Sequence, residues 1–507
     1  MRARVVAWLL ALALVVSSPF AAPAGAVHIE SGGIEGVPSG VPGVLVFRGV
    51  PYARPPVGAL RWQPPQPPAA WSGVRRADGV APCCQQVPWS APPWTAEFVT
   101  QERTSEDCLD LNLWTAQAPG GAKRPVLVWL HGGSLTGGSG AVAVYDGAQL
   151  ARRGLVVVTV NYRLGALGLL AHPGLSAESP RHVSGNYALL DCIAALQWVR
   201  RNVAAFGGDP GRVTLAGQSA GADLVSALMR SPLAKGLFHR AILMSGGSSD
   251  WYLSLAEAEQ AGAAWARTFQ DSSLAALRGL PAAGTLVGGR FGLVADGWCL
   301  PANGPAAPVS DVPILSGMTA DEGSSDPTYG KVTAADFTAF ARSRLDTLAD
   351  EALRLYPFSN DEQAALAQKQ SMREQGLFGT LRWARTRAAR DHAPLYAYYF
   401  TRGIPWPEHP EFGAFHSSDV PYAFANLRLL HRPWQEADRR LSETLAAYWV
   451  RFAGTGDPNG PGLPEWPAFD PGEPRLLELG ATVASRPILE PRRVEFYERC
   501  LALPRRE

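Results

Sequence analysis

Lysine is nearly missing from this sequence, confined to Lys123, Lys235, Lys331 and Lys369, with arginine supplying the other positive charges. That bias reads as codon composition and carries no functional meaning. Charge of either sign is sparse at 18%, and 46 basic against 45 acidic residues leave a formal net charge of +1. A chain so balanced has no electrostatic footprint for nucleic acid. Cysteine is thin as well, at six: Cys83, Cys84, Cys108, Cys192, Cys299 and Cys500. Their wide spacing excludes a small disulfide scaffold, contains no CxxC pair and gives no support for a metal site. There is no internal repeat. Beyond the N-terminus no apolar run reaches the 18 or so residues a bilayer span needs, so stable membrane insertion is not expected.

What is present suffices for a large core. Of 507 residues, 47% are hydrophobic and 9% aromatic, which excludes disorder for most of the chain. The 52 Gly and 43 Pro stay below the roughly 25–30% of low-complexity chains. At about 150 residues per domain, the length allows several small domains or one large, enzyme-sized one. Arg2 and Arg4, then the apolar run Val5–Val16, then Ala24-Gly25-Ala26 have the order of an export signal. The expectation is cleavage after Ala26 and a secreted chain, residues 27–507, folded as one domain. Export permits disulfides, here two at most.

Three short apolar runs read as strands: Pro125–Leu130, Leu155–Val160 and Val213–Ala216. They are continuous rather than alternating, the mark of strands covered on both faces in a parallel sheet. Between the second and third, Leu189, Cys192, Ile193, Leu196, Val199 and Val203 recur at helical spacing, and Phe206–Pro210 stops the helix. Cys192 lies on that apolar stripe and reads as a buried thiol. Strand, helix and strand with short connections imply an α/β fold with right-handed crossovers. From about 255 to 395 the chain becomes Ala-rich and helical, around 254–270, 334–355 and 361–390, which suggests a cap-like insertion.

The chemistry gathers at the strand ends. Gly217-Gln218-Ser219-Ala220-Gly221 follows the third strand and opens a helical run. A serine on such a hairpin is forced into strained backbone, and flanking glycines make room for it. The strain presents Ser219 at the sheet edge, with the helix N-terminus aimed at any oxyanion formed there. His131-Gly132-Gly133 ends the first strand. The amides of Gly132 and Gly133, with that of Ala220, can form a three-donor oxyanion hole, and His131 itself reads as structural. A serine hydroxyl also needs a base held by a carboxylate. Chain order leaves His392, His409, His416 and His431 all open.

These motifs resemble the type-B carboxylesterase/lipase family, which includes the cholinesterases. The resemblance runs through Phe47–Ala53, Ser105–Asn112, Asn161–Gly165, Gly185-Asn186, Phe206–Pro210 and the Ser219 turn, in the family's order. It implies an α/β-hydrolase: a central, mostly parallel twisted sheet flanked by helices, hydrolysing small-molecule carboxylic esters without cofactor or metal. Gly317–Gly323 is similar to the segment bearing the acid, which assigns Glu322, with Asp321 as rival. Phe415–Tyr422 is similar to the segment bearing the base, which assigns His416; the family often has Glu where Asp419 stands. By the same resemblance Cys108 pairs with Cys84, whose Pro-x-Cys-x-Gln setting fits, or with Cys83. A Cys299–Cys500 bridge stays open. Arg48 and Glu106 are expected as a structural ion pair near the site, Ser245 as a hydrogen-bond partner of the acid, and Trp251 as an acyl-pocket wall.

Three rivals stand beside this reading. A non-catalytic adhesion protein on the same fold is disfavoured, because Ser219, Glu322 and His416 all stand. Cholinesterase-type selectivity uses a Trp eight residues before the Glu of the Glu-Asp-Cys motif, to hold a quaternary ammonium by cation–π contact. Ungapped counting puts Phe98 there, with Trp94 nearby, so choline selectivity is disfavoured. An interfacial lipase depends on cap shape, which the residues do not disclose. Oligomeric state is not legible either.

Overall fold

The structure, a computed structural model, describes residues 26–116, 123–248, 252–304 and 310–503. The export-signal segment lies outside the described residues except for Ala26, and so does Trp251.

An 11-stranded sheet forms the centre. Its strands lie side by side in the order Val483–Pro487, Arg475–Leu479, Leu395–Phe400, Ile314–Thr319, Arg240–Met244, Gly208–Gln218, Arg124–Leu130, Val156–Val160, Asp110–Ala116, Val44–Pro51 and Val37–Pro38. From Arg475–Leu479 to Val156–Val160 every pairing is parallel, and both flanks are antiparallel. In the middle, Leu215 stands between Val128 and Ala241 in register. Every residue from Val126 to Leu130 and from Val156 to Val160 is buried, so helices cover both faces, as the continuous apolar runs require.

Helix Tyr187–Asn202 carries the expected stripe, with Leu189, Cys192, Leu196 and Val199 fully buried. Helix Glu436–Thr455 packs on strands Arg124–Leu130 and Gly208–Gln218. There Trp129 meets Tyr145, Phe424 and Trp449 at ring distances of 5.0–6.1 Å. This aromatic knot ties the central sheet to the segment following His416. Truncating such a core Trp typically costs about 3–5 kcal/mol.

The helical stretch after residue 255 resolves into Leu255–Ala266, Leu274–Gly279, Ala334–Leu345, Ala349–Leu355 and Asp361–Ala388. It is not continuous: strand Ile314–Thr319 runs through its middle into the central sheet. Ser316 and Gly317 interrupt that strand's apolar run, which hides it from a periodicity reading. Helix Asp361–Ala388 opens with the Asn360 side chain accepting from Gln363 N at 2.9 Å. It packs on Ile314–Thr319 and on the C-terminal helix Pro491–Leu501. Among the described residues no helix is long and apolar enough to cross a membrane.

Cys84 is the cysteine bridged to Cys108. Adjacent residues of the short strand Cys83–Cys84 point to opposite sides, and Cys83 Sγ turns to the carbonyls of Glu102 and Arg103. Cys299 and Cys500 do not bridge; both are free thiols, as are Cys83 and Cys192.

Candidate active site

Strand Gly208–Gln218 ends at Ser219, and helix Ala220–Arg230 begins one residue later. Ser219 sits at φ 56°, ψ −129°, a region L-residues rarely occupy, and its amide donates to Met244 O at 2.9 Å. The turn demands its glycines. A Cβ on Gly217 would collide with the backbone of Gly221, and one on Gly221 with the carbonyl of Leu130. Their absence lets the helix N-terminus close onto the neighbouring strand end. There Gly132 lies against the serine, its Cβ direction only 3.1 Å from Ser219 Cβ. Among the described residues, no backbone carbonyl accepts from the amides of Gly132, Gly133 or Ala220.

His131 is buried, donates no chemistry outward, and stacks on Tyr162 at 4.2 Å. Its Nδ1 bonds Gly132 O at 2.8 Å, and Tyr162 Oη donates to His131 O at 2.5 Å. Burial pulls its pKa down to about 4, so the ring is neutral and serves to fix the strand end.

The acid and base segments meet directly. His416 Nδ1 hydrogen-bonds the Glu322 carboxylate, whose other oxygen accepts from Thr319 N at 2.8 Å. Burial would raise the Glu322 pKa, but the charge and hydrogen bond of His416 outweigh it and hold the carboxyl below its usual range. Burial likewise opposes the charged His416 ring. The Glu322 hydrogen bond and charge, with Asp419 and Asp223 behind them, win and raise its pKa above 6.5.

Asp321 does different work. Its Oδ1 accepts from Tyr329 Oη at 2.8 Å and Arg373 Nη2 at 2.5 Å, and its Oδ2 from Ala414 N at 2.9 Å. Its own amide donates to Ala414 O at 2.9 Å. Asp321 therefore staples the Glu322 loop to the His416 loop and faces away from the imidazole. Ser245 Oγ, expected to bond the acid, is buried beside it without closing a hydrogen bond of good geometry.

His416 Nε2 faces the side chain before the serine, 3.0 Å from Gln218 Nε2, and no hydrogen bond yet joins it to Ser219 Oγ among the described residues. Resting enzymes often hold such contacts loose until substrate arrives. Behind the ring, Asp419 is fully buried and accepts from Tyr398 Oη at 2.7 Å; burial pushes its pKa up to about 7. Trp94, rather than Phe98, borders His416. Its Nε1 donates to His416 O at 3.1 Å and its ring stands edge-on at 6.3 Å, while Phe98 packs on Phe415.

The expected Arg48–Glu106 pair is not formed. Glu106 is held by Arg61, through Nε–Oε1 at 2.8 Å and Nη2–Oε2 at 2.6 Å, and Arg61 Nη1 also caps the carbonyls of Leu277 and Leu280. Arg48 lies on strand Val44–Pro51 and makes no ion pair with Glu106 among the described residues. Among the described residues, no group of three or more His, Cys, Asp or Glu could hold a metal ion. Gln218 and Arg373 escaped the sequence reading. Adjacency to the serine could have flagged Gln218, but nothing in a helical arginine announces a partner 52 residues away.

A parallel sheet with a serine turn, a glycine-rich strand end and a His–carboxylate pair at its carboxyl edge makes this an α/β-hydrolase. The Carboxylesterase family model matches residues 23–274 and 291–497, and the chain belongs to that family and is a carboxylic ester hydrolase. It is 37% identical to fumonisin B1 esterase of Sphingopyxis macrogoltabida, over 90% of this chain and 87% of that one. It is 36% identical to phenmedipham hydrolase of Pseudarthrobacter oxydans, covering 86% and 92%. Para-nitrobenzyl esterase of Bacillus subtilis is 33% identical over 90% and 95%.

Proposed function

We propose that the chain is exported and cleaves small-molecule carboxylic esters through an acyl-enzyme on Ser219. The His416–Glu322 hydrogen bond, at the edge where the strained Ser219 turn emerges, carries this reading. Glu322 keeps the proton on Nδ1, which leaves Nε2 a lone pair for the serine proton. Ser219 attacks the ester carbonyl, and the amides of Gly132, Gly133 and Ala220 take up the developing negative charge. His416 returns the proton to the departing alcohol. Water activated by the same ring then releases the acid.

Hydrolysis of p-nitrophenyl acetate, butyrate and palmitate by the purified chain, beside Ser219→Ala, tests the scheme. Loss of turnover in the variant supports it, and equal turnover ends it. The chain-length trend separates a carboxylesterase from a lipase. Butyrylthiocholine against p-nitrophenyl butyrate reads out whether a cationic alcohol is preferred. Export with cleavage after Ala26 is checked by the N-terminal residue of protein recovered from the medium, expected to be Val27.

A further inference from the structure

Gln86, the last residue of the Pro-x-Cys-x-Gln segment, has no part in the scheme above, yet it is 3% exposed and every polar atom of its carboxamide is engaged. Nε2 donates to Gly138 O at 2.8 Å and to Cys84 O at 3.0 Å, while Oε1 accepts from Gly138 N at 2.8 Å. The side chain thus pairs with Gly138 as a neighbouring strand would, through both its N–H and its C=O. Gly138 in turn lies directly on the oxyanion turn. A Cβ there would strike the His131 ring and the carbonyl of Gly132, and a Cβ on Gly133 would strike the carbonyl of Gly137. At the far end of the same loop Asn161 repeats the device. Its Oδ1 accepts from Gly140 N at 2.8 Å, and its Nδ2 donates to Pro82 O at 3.2 Å. Gln86 and Pro82 flank Cys84, which is bridged to Cys108.

We propose that Gln86 is a positioning residue for the oxyanion amides: anchored by the Cys84–Cys108 bridge, it fixes Gly138 and so holds the Gly132–Gly133 turn in its working geometry. This rests on the role proposed above for those amides. Only a carboxamide can fill the position. A carboxylate there faces two carbonyls with nothing to donate, and a thioether leaves the half-buried N–H and C=O of Gly138 without the partner they have in Gln86. Displacing preorganised donors weakens binding of the transition state more than of the ground state.

The test uses the full chain with Gln86→Met and Gln86→Glu, each checked for folding by circular dichroism. The readouts are kcat and KM for p-nitrophenyl butyrate, and Ki for a trifluoromethyl ketone whose tetrahedral adduct carries the oxyanion. The expected result is a fall in kcat of roughly 10- to 100-fold and a rise in Ki by a similar factor, with KM within about threefold of wild type. Gln86→Glu preserves size and carries the test where Gln86→Met fails to fold. In a Cys84→Ala/Cys108→Ala background kcat and Ki shift the same way, and adding Gln86→Met costs less than it does alone. Wild-type kcat and Ki in folded variants, with or without a lower melting temperature, overturn the assignment. So does full additivity with the cysteine pair. Turnover that survives Ser219→Ala defeats the acyl-enzyme reading as well, whereas serine-dependent turnover untouched at Gln86 defeats this assignment alone.

Discussion

Gln218 and His416 meet nitrogen to nitrogen, Nε2 to Nε2, at 3.0 Å. Two nitrogens at that distance need one proton between them. His416 commits its Nδ1 proton to Glu322, so Nε2 offers a lone pair and the Gln218 amide donates to it. The contact favours the neutral ring and occupies the place that the Ser219 proton reaches in the proposed scheme.

Replacing Gln218 should therefore move the pH profile. In Gln218→Glu a carboxylate faces Nε2, favours the imidazolium, and raises the apparent pKa of kcat/KM by about one unit or more. Gln218→Met removes the donor and shifts it upward by less. Rate profiles from pH 5 to 9 check this; a uniform loss of rate with an unmoved midpoint would refute it.

Under the proposed scheme His416 acts neutral, and its pKa is raised, so wild-type activity should rise with pH through a midpoint above 6.5. The linkage has a definite sign. The His416 pair contributes stability below pH 6.5, lost as pH climbs through the raised value; Glu322 contributes above 4.5, lost as pH falls through its lowered value. Glu322→Gln leaves burial to dominate at His416, so the midpoint should fall, with kcat lower by roughly 10³–10⁴. A midpoint that stays in place in this variant separates Glu322 from the base.

Arg61→Met should destabilise by about 3–5 kcal/mol, since it strands Glu106 and two carbonyls in a buried place, and Arg48→Met by less than about 1. Urea melts at pH 7 compare them. Equal costs would restore Arg48 as the partner.

Asp321→Ala should cost about 2–4 kcal/mol, because three donors lose a buried acceptor. Arg373→Met should cost about 1 or less, its guanidinium being 37% exposed. Both melts are read against Asp321→Asn, which keeps an acceptor and should fall between them.

Thiol titration of unfolded, unreduced protein should find four free cysteines, Cys83, Cys192, Cys299 and Cys500. Finding two would establish a second bridge. Removing the Cys84–Cys108 link, which closes a separation of 24 residues, should cost about 3 kcal/mol.

The sequence by itself determined the fold class and the local chemistry. Continuous, β-branched apolar runs at Pro125–Leu130 and Leu155–Val160 point to doubly covered strands, and a serine between Gly217 and Gly221 after a strand points to a tight turn, because both signals depend on neighbouring residues. Pairings across long separations were decided in three dimensions. Resemblance pointed to Glu322 and His416, which hydrogen-bond to each other, but that Asp321 staples the two loops depends on Arg373, on a helix 52 residues later. Arg61, not Arg48, pairs with Glu106, and Arg61 Nη1 is held at the same time by the carbonyls of Leu277 and Leu280, more than 200 residues on. Trp94 reaches His416 O across 322 residues, a contact that no counting along the chain could supply. Residue type states what a side chain can do; only the packed chain, which sets distance and burial, decides which partner it finds.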